Sequence, residues 1–493
     1  MRERAGHLPG LDPADVTWHP LVFAGGAVIV EVPVLTGAQA QALADTVRHQ
    51  ACTYLKALSV AQIVQRIDAA VARLLDRSGP WRQKAEHLLP LITGYDREMV
   101  RLGLTGYLKT FRAPQLLRFL AEDFPNPGVL DAFQPAPKGG FVRAFGPDLL
   151  VHVWAGNTPA LPLWSLVSGL LVKAGSIGKV ASAEPLFAGW FAQILAEIDP
   201  KLGACLAVVW WKGGDVAGAQ DVLGAADVVL AYGGTATLSA LKAQVPVTTR
   251  FLPHGHKISF AMVARSALTA DKASATAHRA AHDIARYDQQ GCYSPQMLFV
   301  ERGGPVSPRA FAGYLAHEMD AFARKFPRRA LDLEEAAQLA AWRGAQEMHA
   351  LADASPDGDV LFGAPDGDCL VSAPDGAWSV AYRDRPVPLS PSGLNRSVSV
   401  VAVDALDDAL AQVAPARAYL QSVGIAAAPE QLFHLAGLLG QAGATRICAL
   451  GQMTAPEAGW HHDGRFNLLD LVTYSEIELS AEQAAEHLAT YAD

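Results

Sequence analysis

Cys292 stands in the run Asp288-Gln289-Gln290-Gly291-Cys292-Tyr293-Ser294-Pro295-Gln296, after a glycine and ahead of an apolar stretch. A thiol on a small turn between a helix and a strand has an open approach and backbone N–H groups beside it. A nucleophile needs both, to attack a carbonyl and to steady the oxyanion that results. A lone cysteine also serves as a small buried hydrophobe, and spacing alone leaves both readings open. Cys52, Cys205, Cys369 and Cys448 fall in helix, strand or turn contexts that suit the structural role. The five cysteines contain no C-x-x-C pair, so neither a zinc site nor a disulfide framework is expected, and reduced thiols fit a reducing compartment.

Three further segments carry polar groups at strand ends. Ala155-Gly156-Asn157-Thr158-Pro159 follows one apolar run and opens a helical one. Asn157 there is either a helix cap or a carboxamide donor to a developing oxyanion. Tyr232-Gly233-Gly234-Thr235 follows another apolar run, and its glycines permit close backbone approach to a pyrophosphate at a helix start; a plain turn reads the same way. No G-x-G-x-x-G fingerprint accompanies it. His461-His462-Asp463 sits in a Gly-rich loop. Adjacent histidines do not readily point into one site, so no metal is expected and a solvated loop is the plainer reading.

The elements that must hold these residues alternate. Leu149–Trp154, Ser176–Ala181, Cys205–Trp211 and Asp227–Tyr232 read as short buried strands. Helical patterns separate or follow them at Ala160–Lys173, Pro185–Ile198, Val216–Leu223 and Thr235–Gln244. That rhythm predicts a doubly wound, mostly parallel sheet. A second α/β region follows, with strands at Ile258–Val263 and Gln296–Glu301 and helices at Lys272–Tyr287, Ser307–Phe326 and Glu334–Leu351. A helix from Pro429 and strands at Arg446–Leu450 and Leu471–Leu479 end the chain. Before the alternation come a hairpin at Leu21–Pro33, turning at Gly25-Gly26, and helices between Ala38 and Phe124. Phe141–Trp154 reads as strand, turn at Gly146-Pro147, strand. The near-repeat Ala364-Pro365-Asp366-Gly367 and Ala373-Pro374-Asp375-Gly376 predicts antiparallel turns.

The 493 residues predict two or three domains, and 51% hydrophobic with 18% charged residues marks a globular chain with a large core. A net charge of -9 offers no nucleic-acid footprint. The start has no apolar signal region, and the apolar stretches fall short of the ~20 residues a membrane span needs. A cytoplasmic protein is the expectation.

In order and content these segments resemble the aldehyde dehydrogenase superfamily, and within it the LuxC-type acyl-CoA reductases, also called long-chain fatty acid reductases. The run D-Q-Q-G-C-Y-S-P-Q carries most of the likeness, with His254-Gly255-His256-Lys257-Ile258-Ser259-Phe260 before it. The resemblance implies an α/β fold of two Rossmann-like doubly wound domains and a small oligomerisation hairpin at about 136–154. It places helices and dinucleotide binding in 1–252, catalysis in 253–445, and a return segment in 446–493. It implies Cys292 as nucleophile, Asn157 as oxyanion donor, and Lys179, Ser182, Gly233, Gly234 and Thr235 as cofactor contacts. The usual Lys-Pro-Ser-Glu of the ribose site is not reproduced letter for letter around Lys179, Ser182 and Glu184. The cofactor implied is NADPH, with NADH possible, and the acyl donor is an acyl-CoA or an acyl-protein synthetase; a homo-oligomer is expected.

One departure bears on chemistry. Aldehyde-oxidising members carry Glu-Leu-Gly-Gly-Lys, whose Glu activates water; here Pro253-His254-Gly255-His256-Lys257 stands instead. Without that base an acyl-Cys292 thioester outlives hydrolysis, which favours reduction to aldehyde. His254 and His256 are read as solvated turn residues, or as a substitute base. A CoA-acylating aldehyde dehydrogenase, or a Cys acyltransferase or thioesterase without nicotinamide, remain the alternatives.

Overall fold

A computed structural model describes residues 1–214, 216–352 and 367–490. The chain divides into two compact units: Met1–Thr93, Gly103–Gly255 and Glu457–Asp493 form the first, and Gly94–Leu102 with His256–Pro456 the second.

The first unit is built on a five-stranded parallel sheet, in spatial order Arg250–His254, Val228–Tyr232, Leu149–Val153, Gly175–Lys179, Leu206–Val209. Sequence order runs outward from Leu149–Val153 in one direction and then, after a crossover, in the other. The winding therefore reverses between Leu149–Val153 and Val228–Tyr232, and ligands of such sheets bind at the carboxyl ends beside that switch. The strands are short and buried because both faces are covered. Leu149, Val151, Val153, Val229 and Ala231 pack against Ala40, Leu43 and Val47 of the helix Gly37–Thr53, and against Val222 and Leu238. The opposite face carries His152, fully buried with neither ring nitrogen hydrogen-bonded, and burial pushes it down to about 3. The helix Gly37–Thr53 starts with a Thr36/Gln39 capping box and Val60–Leu75 with a Ser59/Gln62 one, so both starts are written in the sequence.

The amino-terminal hairpin forms as expected, Thr17–Phe23 against Val28–Val34, with Ala24, Gly25 and Gly26 all at positive φ. The hairpin expected at 136–154 does not. Phe141–Phe145 pairs with Gln134–Pro135 and with Thr473–Ile477 in a separate three-stranded antiparallel sheet, while Leu149–Val153 enters the parallel sheet. The reason is burial: Leu149–Val153 is buried throughout and needs covered neighbours, whereas Phe141–Phe145 is half-exposed. The true turn is at Gly139-Gly140, both at positive φ.

The second unit holds a seven-stranded sheet, ordered Cys369–Ser372, Ser379–Arg383, Ser397–Val403, Pro295–Glu301, Ile258–Val263, Leu420–Ala426, Arg446–Ala449. All pairs are parallel except the hairpin Cys369–Ser372/Ser379–Arg383, whose turn at Ala373–Gly376 is the expected Pro-Asp-Gly element. Residues 364–366 of the companion repeat lie outside the described residues. The helices Ala273–Ala285 and Pro308–Lys325 cover one face, and Asp408–Val413 and Pro429–Ala442 the other. Among the described residues no helix is long and apolar enough to cross a membrane.

Candidate active site

Cys292 lies in the turn between the helix Ala273–Ala285 and the strand Pro295–Glu301, and is half-buried. The Ser294 N–H donates to the Gly291 carbonyl at 2.9 Å, closing the turn around it. The Tyr293 ring packs over Gly291, where an added Cβ would sit 2.3 Å from the ring. The buried Ser259 hydroxyl donates to the Cys292 carbonyl at 2.7 Å and accepts from the Ser422 N–H at 3.1 Å, tying the turn to two strands.

The three residues Tyr287, Asp288 and Gln289 leading to this turn all have positive φ, and so do Leu394, Asn395 and Arg396. Each costs of order 1 kcal/mol or more for a non-glycine residue, so something must hold them. The two segments hold each other. Arg396 Nε donates to Asp288 at 2.8 Å and Nη2 lies 2.7 Å from the same oxygen, both side chains at most 1% exposed. The Arg329 N–H donates to the other Asp288 oxygen at 3.1 Å. Gln289 donates to the carbonyls of Pro295 and Ser397 and accepts from the Ser397 N–H, and Gln290 donates to Asn395. Asp288, Gln289 and Gln290 stood in the recognised run; nothing in the sequence pointed to Arg396. Burial pushes Cys205 up to about 12 and Cys448 to about 11, and it raises Cys369 and Cys52 as well.

In the first unit, Asn157 follows Leu149–Val153 and is exposed. It is not a helix cap, because the helix begins only at Pro162. Its loop is packed closely: a Cβ on Gly156 would meet the Ala181 Cβ at 2.8 Å, and Trp154 lies across Gly178 while its Nε1 donates to Ser165 at 2.7 Å. Gly233 and Gly234 follow the adjacent strand, and Gly234 caps the helix Thr235–Lys242. A Cβ on Gly233 would meet nothing nearer than Thr237 at 3.4 Å, and its φ is not positive, so neither packing nor conformation demands glycine there. What its absence of side chain provides is room beside a helix N-terminus.

Lys179 ends the next strand and is half-buried; burial lowers its ammonium, which lies 6.0 Å over the Trp211 ring. Among the described residues no carboxylate pairs with it. Ser182, accepting from Trp210 Nε1 at 3.0 Å, lines a cavity of about 420 Å³ together with Trp210, Trp211, Lys212 and, from the amino-terminal hairpin, His19. That volume suits a small-molecule site, roughly 300–1,000 Å³. Glu184 faces elsewhere: its carboxylate accepts from the N–H groups of Leu186 and Phe187, both at 2.9 Å, at a helix start. A hydroxyl and two aromatic walls thus line the cavity, while the lysine and the glycine turn stand at carboxyl ends of the same sheet.

His254 is not a solvated turn residue. His254 ends the edge strand, with its Nδ1 2.9 Å from an Asp463 oxygen, and its side chain is 12% exposed. Its ring stacks against Tyr232 at 4.8 Å and His462 at 4.5 Å, and those two rings stack on each other at 6.0 Å. His254, His462 and Asp463 offer ligand atoms within 4.8 Å of one another. The two imidazoles are parallel to within 10°, so their in-plane lone pairs run alongside each other rather than converging. As it stands, the trio is a pair of stacked imidazoles, one of them hydrogen-bonded to Asp463. His256 is exposed.

The family model described as acyl-CoA reductase (LuxC) matches residues 55–474. The chain belongs to the acyl-CoA reductase (LuxC) family. This LuxC-family chain is 27% identical over 402 residues to the long-chain acyl-protein thioester reductase of Photorhabdus luminescens, covering 80% of this chain and 77% of that one. It is 24% identical over 457 residues to long-chain acyl-protein thioester reductase 2 of Photobacterium leiognathi, covering 90% and 87%. An indole-3-acetaldehyde dehydrogenase complexed with NAD+ superposes with a TM-score of 0.73 at 14% identity, over 96% of each chain. The fold of the LuxC-family chain is thus that of the aldehyde dehydrogenases, and the chain is an oxidoreductase acting on acyl groups.

Proposed function

We propose that the protein reduces an acyl thioester to the aldehyde through an acyl-Cys292 intermediate, with NADPH as reductant. The observation that carries this is the clamped Cys292 turn: strained backbone, held by a buried ion pair, presents a half-buried thiol. In this reading the thiolate attacks the thioester carbon, and the Asn157 carboxamide and the Cys292 N–H donate to the oxyanion. Pro253 stands where the oxidising relatives have their base, so the acyl enzyme is not passed to water. A bound reduced nicotinamide supplies the hydride. Lys179, Ser182 and the Gly233-Gly234-Thr235 turn hold that dinucleotide. A lysine with no carboxylate partner among the described residues, the Ser182 hydroxyl and a Glu184 turned to a helix start favour the 2′-phosphate of NADPH over NADH. An acyl-protein or an acyl-CoA serves as donor, as the names of the Photorhabdus and Photobacterium relatives suggest.

The test is intact mass spectrometry after incubation with acyl-CoAs of several lengths. Wild type gains the acyl mass, Cys292→Ala does not, and NADPH added to the wild-type adduct removes it with release of aldehyde. An equal adduct on both proteins rejects the assignment.

A further inference from the structure

The amino-terminal hairpin is tied to the parallel sheet of its own compact unit by main-chain bonds. Leu206–Val209 is an edge strand of that sheet. The His7 N–H donates to the Val208 carbonyl at 3.0 Å, and the Val208 N–H donates to the His7 carbonyl at 2.8 Å. Just before His7, Arg2–Arg4 pairs with Val28–Val34, which pairs in turn with Thr17–Phe23. A continuous set of ladders thus fixes the hairpin relative to Val209 and to Trp210 and Trp211 after it.

What the ladders hold is one wall of the cavity of about 420 Å³. His19 and Leu21 project to the same face of their strand, as residues two apart do, and both line it. The His19 ring lies within 7° of parallel to the Trp210 indole, with centroids 5.3 Å apart. A hairpin serving only as cover would close on the sheet with apolar side chains. This one leaves the space open, with Val34 on its lining still 39% exposed, and brings a polar ring to it. Every polar group on the lining can donate. Ser182 Oγ accepts from Trp210 Nε1 at 3.0 Å, which leaves its own proton for an acceptor. Lys212 brings an ammonium, and an imidazole carries an N–H in either protonation state. No carboxylate is among the described lining residues. Aromatic and apolar walls with donors and no anion fit a flat base that carries a phosphate. Ser182 follows the strand Gly175–Lys179, and the Lys179 ammonium lies 6.0 Å over Trp211, so the cavity adjoins the residues assigned to the dinucleotide.

We propose that the amino-terminal hairpin completes the cofactor site: the cavity takes the 2′-phosphoadenosine end of NADPH, and His19 with Lys212 donates to the 2′-phosphate and so sets the choice over NADH. The inference rests on the dinucleotide reading above. The family match begins at residue 55, so His19 lies outside it and the likeness assigns the hairpin nothing.

Binding without turnover tests this. Wild type, His19→Phe and Lys212→Met are titrated calorimetrically with NADPH and with NADH, with no acyl substrate present. Phenylalanine keeps a ring against Trp210 and removes the N–H. Each variant is expected to raise the Kd for NADPH about tenfold, the effect of losing one donor to a charged acceptor, and to leave that for NADH within about twofold. A loss shared equally by the two cofactors, or seen with neither, overturns the inference alone. A loss from Lys212→Met without one from His19→Phe overturns the hairpin's part in it. A wild type that binds neither cofactor at millimolar concentration overturns the dinucleotide reading, and this inference with it.

Discussion

Arg396 and Lys179 are both cations drawn out of water, one in each compact unit, and they are treated in opposite ways. Arg396 is fully buried and meets Asp288 through two nitrogens, within a network that runs on to the Gln289 amide and the Arg329 backbone. Lys179 ends a strand and, among the described residues, its ammonium meets the face of Trp211 and no carboxylate. A buried charge answered from within the chain fixes structure, and here it fixes the left-handed residues on either side of the Cys292 turn. A partly buried charge left unanswered is costly in isolation and is relieved by a ligand that brings the anion. The contrast separates residues that position the thiol from residues that wait for the dinucleotide. It also says where each should show itself when altered, in unfolding for the first and in binding for the second.

The largest effect should come from breaking the answered pair. Arg396→Met strands the Asp288 carboxylate and should cost about 3–5 kcal/mol in urea unfolding. Replacing both members, Asp288→Leu with Arg396→Met, should recover much of that stability, because a buried pair contributes little net energy over apolar side chains. Acylation of Cys292 should stay lost in the double variant, because the turn is then no longer held in its strained form. Recovery of both stability and acylation would show that the pair is dispensable to the thiol's placement.

The legibility of these features in the sequence follows the range of the interaction. The parallel strands were visible as short apolar runs, and the capped helices as periodic ones, because each is dictated within a dozen residues. The turn at Gly25-Gly26 was visible for the same reason. Phe141–Phe145 was assigned to the wrong neighbour because its partner, Thr473–Ile477, lies over 300 residues away and only the exposure of the strand tells the two sheets apart. Cys292 was legible from a recognised run, but its clamp was not, since Arg396 is 108 residues from Asp288 and sits in an undistinguished segment. His254 reads as a solvated turn residue or a substitute base because the strand Arg250–His254 is short and partly exposed, and its carboxylate partner comes from a loop 209 residues on.

A smaller effect should follow from the packing that sets the Asn157 loop. A Cβ on Gly178 would lie 1.7 Å from the Trp154 ring, so Gly178→Ala should cost about 1–3 kcal/mol and displace the loop. In the same sheet His152 supplies a pH dependence. Burial holds it at about 3 against 6.5 in the unfolded chain, so the folded form binds the proton less well and stability falls as pH drops below 6.5. The loss at pH 5 relative to pH 8 should be about 2 kcal/mol, read as the difference between wild type and His152→Leu in urea at the two pH values.

The smallest change, and the one that most sharpens the contrast, is Lys179→Met. Removing an unanswered, desolvated ammonium should leave urea unfolding unchanged or slightly improved, the reverse of Arg396→Met. Dinucleotide binding should weaken about tenfold, some 1.4 kcal/mol, measured as the Kd for NADPH by fluorescence titration. The pH profile supplies the sign. Burial lowers the Lys179 ammonium, so wild-type affinity should fall on the alkaline side as the proton leaves, and the methionine variant should lack that limb. Because the 2′-phosphate is the extra anion, the tenfold loss for NADPH should shrink for NADH. A variant that loses both equally would place Lys179 against the ribose hydroxyls common to the two cofactors rather than against the phosphate that distinguishes them.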